Sequence, residues 1–193
     1  VRIIHYPHPT LRHVSKPLRT VDAELRSLVR SMFDLMYQAD GIGLAANQVD
    51  LPYRLFVLNI TGDSTQTDQE QVFINPVITA RKGTAEAEEG CLSLPGIYAD
   101  VKRPEKISVS GYDLSGRELQ LELDGLAARA VQHEIDHLDG ILFIDRLSPT
   151  QMMAIREAVD DLVSQFAGAR ERREVPSDES IASRLAELES ART

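Results

Sequence analysis

The chain has 193 residues, 42% hydrophobic and 26% charged with no tryptophan, which is enough for one domain with a real core and an appendage. A formal net charge of −9 argues against a broad surface for naked nucleic acid, so free DNA is not an expected partner. No apolar run approaches the roughly 18 residues of a membrane span, the N-terminus lacks the continuous apolar stretch of a signal peptide, and the single cysteine excludes an intrachain disulfide. A cytoplasmic protein without membrane association is the expectation.

In chain order, Pro7, Pro9 and Pro17 predict an extended, turn-rich lead-in. From Asp22, an N-cap residue type, Leu25, Leu28, Val29, Met32, Leu35 and Met36 recur at helical spacing, and Gly41 stops that helix. The segment "YRLFVLNI" (53–60) reads as a buried strand and "GDSTQTDQEQ" (62–71) as a solvated loop. A second strand, "VFINPVITA", is bent by Pro76 or pushed to a sheet edge. Residues 105–124 form the clearest hairpin: Ile107 and Val109 alternate with polar residues, "DLSG" turns the chain, and Leu119, Leu121 and Leu123 alternate on the return.

Gly125 separates this hairpin from a helix carrying "QHEIDH". A further helix runs from Pro149 to about Ala167, and beyond Gly168 lie a charged stretch and a short amphipathic piece bearing Ile181, Leu185 and Leu188. The order predicts an α+β fold: antiparallel strands packed around a central helix that carries H-E-x-x-H, with a C-terminal helix. Residues 1–167 are the expected catalytic domain and 168–193 a charged extension with a short amphipathic helix.

The chemistry concentrates in "QHEIDH". At 100° per residue His133 and His137 lie within about 40° of each other on a helix, on the side of Leu126 and Ala130. Val131, Ile135 and Leu138 fall on another side, so one face anchors in a core while the other meets a cavity. Neutral imidazoles bind a divalent metal that lowers the pKa of a bound water, and Glu134 on the flank is able to take that water's proton. A chance match, with both histidines merely solvated or satisfied, arises in roughly one such chain in a hundred.

Two histidines do not complete a site. Glu157 follows His137 at a spacing some peptidases use, but it points nearly opposite to the stripe of Met152, Ile155, Val159, Leu162, Val163 and Phe166. Cys91 in "EEGCLSLP" offers a thiolate for a tetrahedral S,N,N site with one position open, and a lone cysteine is otherwise most often a small buried hydrophobe. Forty-two residues separate Cys91 from His133, so spacing alone leaves both candidates standing.

Three segments, "GIGLAANQ" (41–48), "EGCLSLP" (89–95) and "QHEIDH" (132–137), resemble the signature motifs of peptide deformylases, in that family's order, and "HPTLR" resembles its opening. The resemblance spans about residues 1–165. It implies metal binding by Cys91, His133 and His137, with ferrous iron native and zinc, nickel or cobalt able to substitute. The implied reaction removes the formyl group from N-formylmethionine on nascent peptides, with Glu134 assisting the attacking water and the Gln48 side chain and Leu92 backbone N–H stabilising the oxyanion. Without the motif Gln48 reads as a turn residue.

The resemblance further assigns substrate contact to Ile42, Gly43, Ala45, Glu89, Gly90, Leu126 and Ala130. The peptide would add as a short strand along Gly43 and Ala45, and Ile42, Leu126 and Ala130 would line the methionine pocket. Arg129 and Tyr98 depart from the pattern. Arg129 stands where relatives more often carry an apolar residue, and at the pocket rim it would snorkel to solvent or touch substrate. Asp136 has Arg103 as a candidate partner, and a free surface position is the equal alternative.

The tail falls outside the resemblance; by analogy Arg170, Arg172 and Arg173 would touch the ribosome, against a solvated face interleaved with Glu171 and Glu174. A monomer is expected, with the apolar side of 181–188 packing on the body or, in a dimer, on another subunit. Two rivals stand beside the deformylase: a peptidase using Glu157, and a non-catalytic metal module with its fourth position closed.

Overall fold

The computed structural model describes all of residues 1–193. Helix α1 (Ala23–Gln38) starts where the Asp22 side chain accepts the Leu25 N–H at 2.8 Å, and buries Leu25, Val29, Met32, Phe33 and Met36 along one stripe. A five-stranded antiparallel sheet follows, in the order β1 (Gly43–Ala45), β2 (Leu55–Leu58), β3 (Gln71–Lys82), β6 (Lys106–Tyr112) and β7 (Glu118–Asp124).

Strand β2 shows why the sheet is two-sided. Its residues alternate between cores: Leu55 and Val57 pack with α1, whereas Phe56 and Leu58 pack with helix α2 (Gly125–Leu138). Helix α2 therefore lies against the sheet through Val131, Ile135 and Leu138, the face expected to be its anchor.

Strand β3 is central, but its pairing with β2 ends at Ile74, so Pro76 lies where only β6 runs alongside. The register between β3 and β6 shifts between Ile74 and Val77, so the missing proline N–H falls in a bulge and the strand bends there. Asn75 adopts φ 52° and returns hydrogen bonds to both Leu18 N–H and Leu18 C=O at 2.8 Å, which holds the bend.

A second unit, absent from the sequence reading, is the hairpin of β4 (Ala85–Cys91) and β5 (Leu94–Arg103). Glu86, Ala87 and Glu88 are all exposed, so the segment lacks the alternation that marks a half-buried strand. This hairpin packs through Leu94, Ile97 and Val101 against Val159 and Leu162 of helix α3 (Pro149–Glu171). Helix α3 continues through Gly168, beyond its expected end near Ala167. Helix α4 (Asp178–Arg192) is longer than the expected amphipathic piece and turns back onto the body, burying Ile181 and Leu185. The apolar side of the tail is thus used within the chain.

Candidate metal centre

The site forms where α2 meets the tip of the β4–β5 hairpin. One helical turn brings the rings of His133 and His137 to 4.9 Å between centroids. Cys91, the last residue of β4, places Sγ 3.3 Å from His137 Nε2, and the ligand atoms of Cys91, His133 and His137 all lie within 4.8 Å of one another. Just before it, Gly90 lies against Tyr98; a Cβ there would stand 2.6 Å from that ring.

The protein also orients the ligands. His133 Nδ1 lies 3.0 Å from Glu89 Oε2, which turns Nε2 toward the cluster, the arrangement by which a carboxylate fixes a metal-binding tautomer. Burial by itself would raise the Glu89 carboxyl, but Arg103 and His133 outweigh it and hold it far below its ordinary range. Arg103 in turn pairs with Asp136 Oδ2 at 2.7 Å, the first of the two alternatives for Asp136, and Arg146 donates to both oxygens of Asp136. The donor set fits one divalent ion: a sulfur and two imidazoles converge, and His137 presents Nε2 to Cys91 Sγ.

Glu134 borders this cluster with a different character. It is buried, Oε2 has no hydrogen-bond partner, and burial pushes its carboxyl up to about 7. Such a carboxyl exchanges protons near neutrality. Gly43 makes room for it: a Cβ there would stand 3.0 Å from Glu134 Cδ and 3.1 Å from Cγ.

Gln48 is no solvent-facing turn residue. Its Oε1 accepts the Ala45 N–H at 2.8 Å, which fixes the amide so that Nε2 points at Cys91 Sγ (3.4 Å) and Ser93 Oγ (3.3 Å). The Leu92 N–H, in the turn after Cys91, makes no hydrogen bond within the chain.

A cleft of 610 Å³ opens beside these groups, lined among others by Ile42, Gly43, Gly90, Leu126, Ala130 and Tyr98. Leu126 and Tyr98 are exposed at its mouth. Three of the singled-out residues have other partners here. Ala45 is fully buried and is not part of the lining, and its N–H is taken by Gln48. Glu89 borders the cleft but spends its oxygens on Arg103, Arg129 and His133. Arg129 borders the cleft, but it does not snorkel to solvent: its guanidinium turns to Glu89, Ala85 and Val101. Glu157 is exposed on α3 and stays out of the ligand cluster. The cleft also contains Ile3 and His5, which sequence reasoning missed; the Ile4 N–H bond to Gln48 O at 2.8 Å, which lays the lead-in along the site, leaves no sequence signal.

The sequence profile of the family described as Polypeptide deformylase matches residues 1–153. The chain belongs to this family, whose members are metalloenzymes. A peptide deformylase of Rhodopirellula baltica is 46% identical over 191 residues, covering 99% of this chain and 94% of its own. That of Chromobacterium violaceum is 46% identical over 156 residues, covering 81% and 92%. Among solved structures, the peptide deformylase of Plasmodium falciparum superposes with a TM-score of 0.84 at 38% identity, covering 86% of this chain and 98% of that one. Peptide deformylase 1B of Arabidopsis thaliana gives 0.84 at 40% identity, covering 92% and 97%. The R. baltica deformylase aligns through the tail, so the likeness does not stop near residue 165 as expected.

Proposed function

We propose that this chain removes the formyl group from N-formylmethionine at the start of nascent polypeptides, releasing formate and a free amine. One observation carries the reading: the Cys91, His133 and His137 ligand atoms converge beside a cleft that is lined by a buried carboxyl of raised pKa and an aimed amide donor. A divalent ion held by those three side chains would supply Lewis acidity and a readily deprotonated water. Glu134 takes the proton as water attacks the formyl carbon and passes it to the departing amine. Gln48 Nε2–H and the Leu92 N–H donate to the developing oxyanion, each such donor being worth about 3–4 kcal/mol of the barrier.

Strand β1 receives the peptide. Ile42 C=O accepts the Asn59 N–H of the neighbouring chain segment at 2.8 Å, and antiparallel alternation then points the polar groups of Gly43 away from β2. Ala45 supports this edge by holding Gln48 in place. Ile42, Leu126 and Ala130 provide the apolar wall for the methionine side chain, with Gly90 also lining the cleft.

Ferrous iron as the native metal, with zinc, nickel or cobalt as substitutes, belongs to the same proposal and rests on the family likeness, as does a monomer working in the cytoplasm. No helix is long and apolar enough to cross a membrane. Residues 1–167 act as the catalytic body and 168–193 as an extension that offers the ribosome charge only where it is free: Arg170, Arg172, Arg184 and Arg192 are paired with Asp178, Glu174, Asp50 and Asp22, leaving Arg173 of the five tail arginines.

Mass spectrometry of products from a short formyl-Met peptide tests the reading. Loss of the formyl group alone supports it; cleavage of an internal peptide bond with the formyl group retained supports the peptidase instead.

A further inference from the structure

Two of the three ligands ride on α2 and the third on a hairpin that shares no strand pairing with the main sheet. Something must fix these two units relative to each other, because a ligand set that drifts by a fraction of an ångström binds metal less tightly. Arg129 spans the junction. It sits one turn before His133 on α2, its side chain is 11% exposed, and it makes three hydrogen bonds into the hairpin. Nη1 donates to Glu89 Oε1 at 2.7 Å and to Val101 O at 2.8 Å, and Nη2 donates to Ala85 O at 2.8 Å. Those acceptors lie on both strands, β4 and β5.

We infer that Arg129 is a positioning residue of the metal centre: by clamping α2 to both strands of the hairpin and anchoring Glu89, it holds Cys91 and His133 at the spacing one ion requires. The Glu89 carboxylate shows how the effect is passed on. Oε1 takes Arg129 and Arg103, which leaves Oε2 directed at Arg103 and His133 Nδ1. Only an arginine serves here, since a planar fork reaches three acceptors at once and an ammonium on a shorter reach does not. Arg129 also borders the cleft, but moving its guanidinium onto a substrate would strip it of all three partners, so the hairpin bonds define its role.

The inference rests on the Cys–His–His centre proposed above, and metal binding by the unmodified protein tests that reading separately. The experiment compares Co²⁺ affinity, by chelator competition, with the visible spectrum of the cobalt-loaded protein and the KM for a formyl-Met peptide at saturating metal. Arg129→Met keeps the stem and removes the fork; Co²⁺ affinity should fall about tenfold, the low end for partners beyond the ligands, with altered ligand-field bands and unchanged KM. Arg129→Lys keeps the charge and should lose about threefold, carrying the test alone if the methionine variant does not fold. Cobalt affinity and spectrum equal to wild type in the folded variants overturn the inference, as does a raised KM with metal affinity untouched.

Discussion

Gly43→Ala isolates the role of the Glu134 carboxylate with one added carbon. Gly43 does not occupy positive φ, so alanine meets no backbone strain at this position. The new Cβ would stand 3.0 Å from Glu134 Cδ and nearer still to Oε1, whereas ordinary contact begins at 3.4 Å. The carboxylate therefore has to retreat by about 1 Å, a misplacement that typically costs ~10²-fold in rate, or about 2.7 kcal/mol of barrier. Stability should change by less than about 1 kcal/mol, since the displaced group is a movable side-chain end and alanine restricts the unfolded chain.

The assay is kcat for formate release by metal-loaded protein, with metal content and thermal unfolding measured alongside. A Glu134→Gln background provides the control: there Gly43→Ala should cost little further, because the proton carrier is already gone. A kcat within threefold of wild type with metal retained would refute the argument that the carboxylate's position governs the reaction. An equal loss in both backgrounds would place the effect on peptide binding to β1 instead.

Gln48→Ala should lower kcat by about 10²–10³-fold while metal content stays at wild-type level, because the lost donor faces the oxyanion rather than the ion. Arg103→Met should destabilise the fold by about 3–5 kcal/mol in denaturant titration, since it leaves Glu89 and Asp136 buried with weakened compensation. The tail should loosen in acid. Burial would raise the Glu189 carboxyl, but Lys16 and His13 outweigh it and lower it below 4.5. Its stabilising contribution is therefore present above its unfolded value and lost as pH falls through the folded one, so amide exchange in α4 should quicken below that range in wild type and lose this pH dependence in Glu189→Gln.

How far the sequence carries the structure depends on the range of the interactions involved. Helix α1, the β6–β7 hairpin and the inward and outward faces of α2 are set by local periodicity and are legible residue by residue. The β4–β5 hairpin is not, because its solvent-facing Glu86 and Glu88 flank an alanine that is also exposed. In the site, Glu157 could be set aside from its helical face, whereas the pairing of Asp136 with Arg103 stands level in the sequence with a free surface position. The inward turn of Arg129 is hidden: its partner Glu89 lies 40 residues away, and only the fold shows that the hairpin passes under α2. Likewise, the amide of Gln48 has a direction only because the Ala45 N–H fixes it.

The account stands on the ligand set, and cobalt titration of the intact chain tests it most directly. One equivalent of Co²⁺ should bind with a thiolate-to-metal charge-transfer band; Cys91→Ala should lose band and tight binding together, while Glu157→Ala keeps both. Tight binding without a thiolate band, retained in Cys91→Ala and lost in Glu157→Ala, would contradict the account.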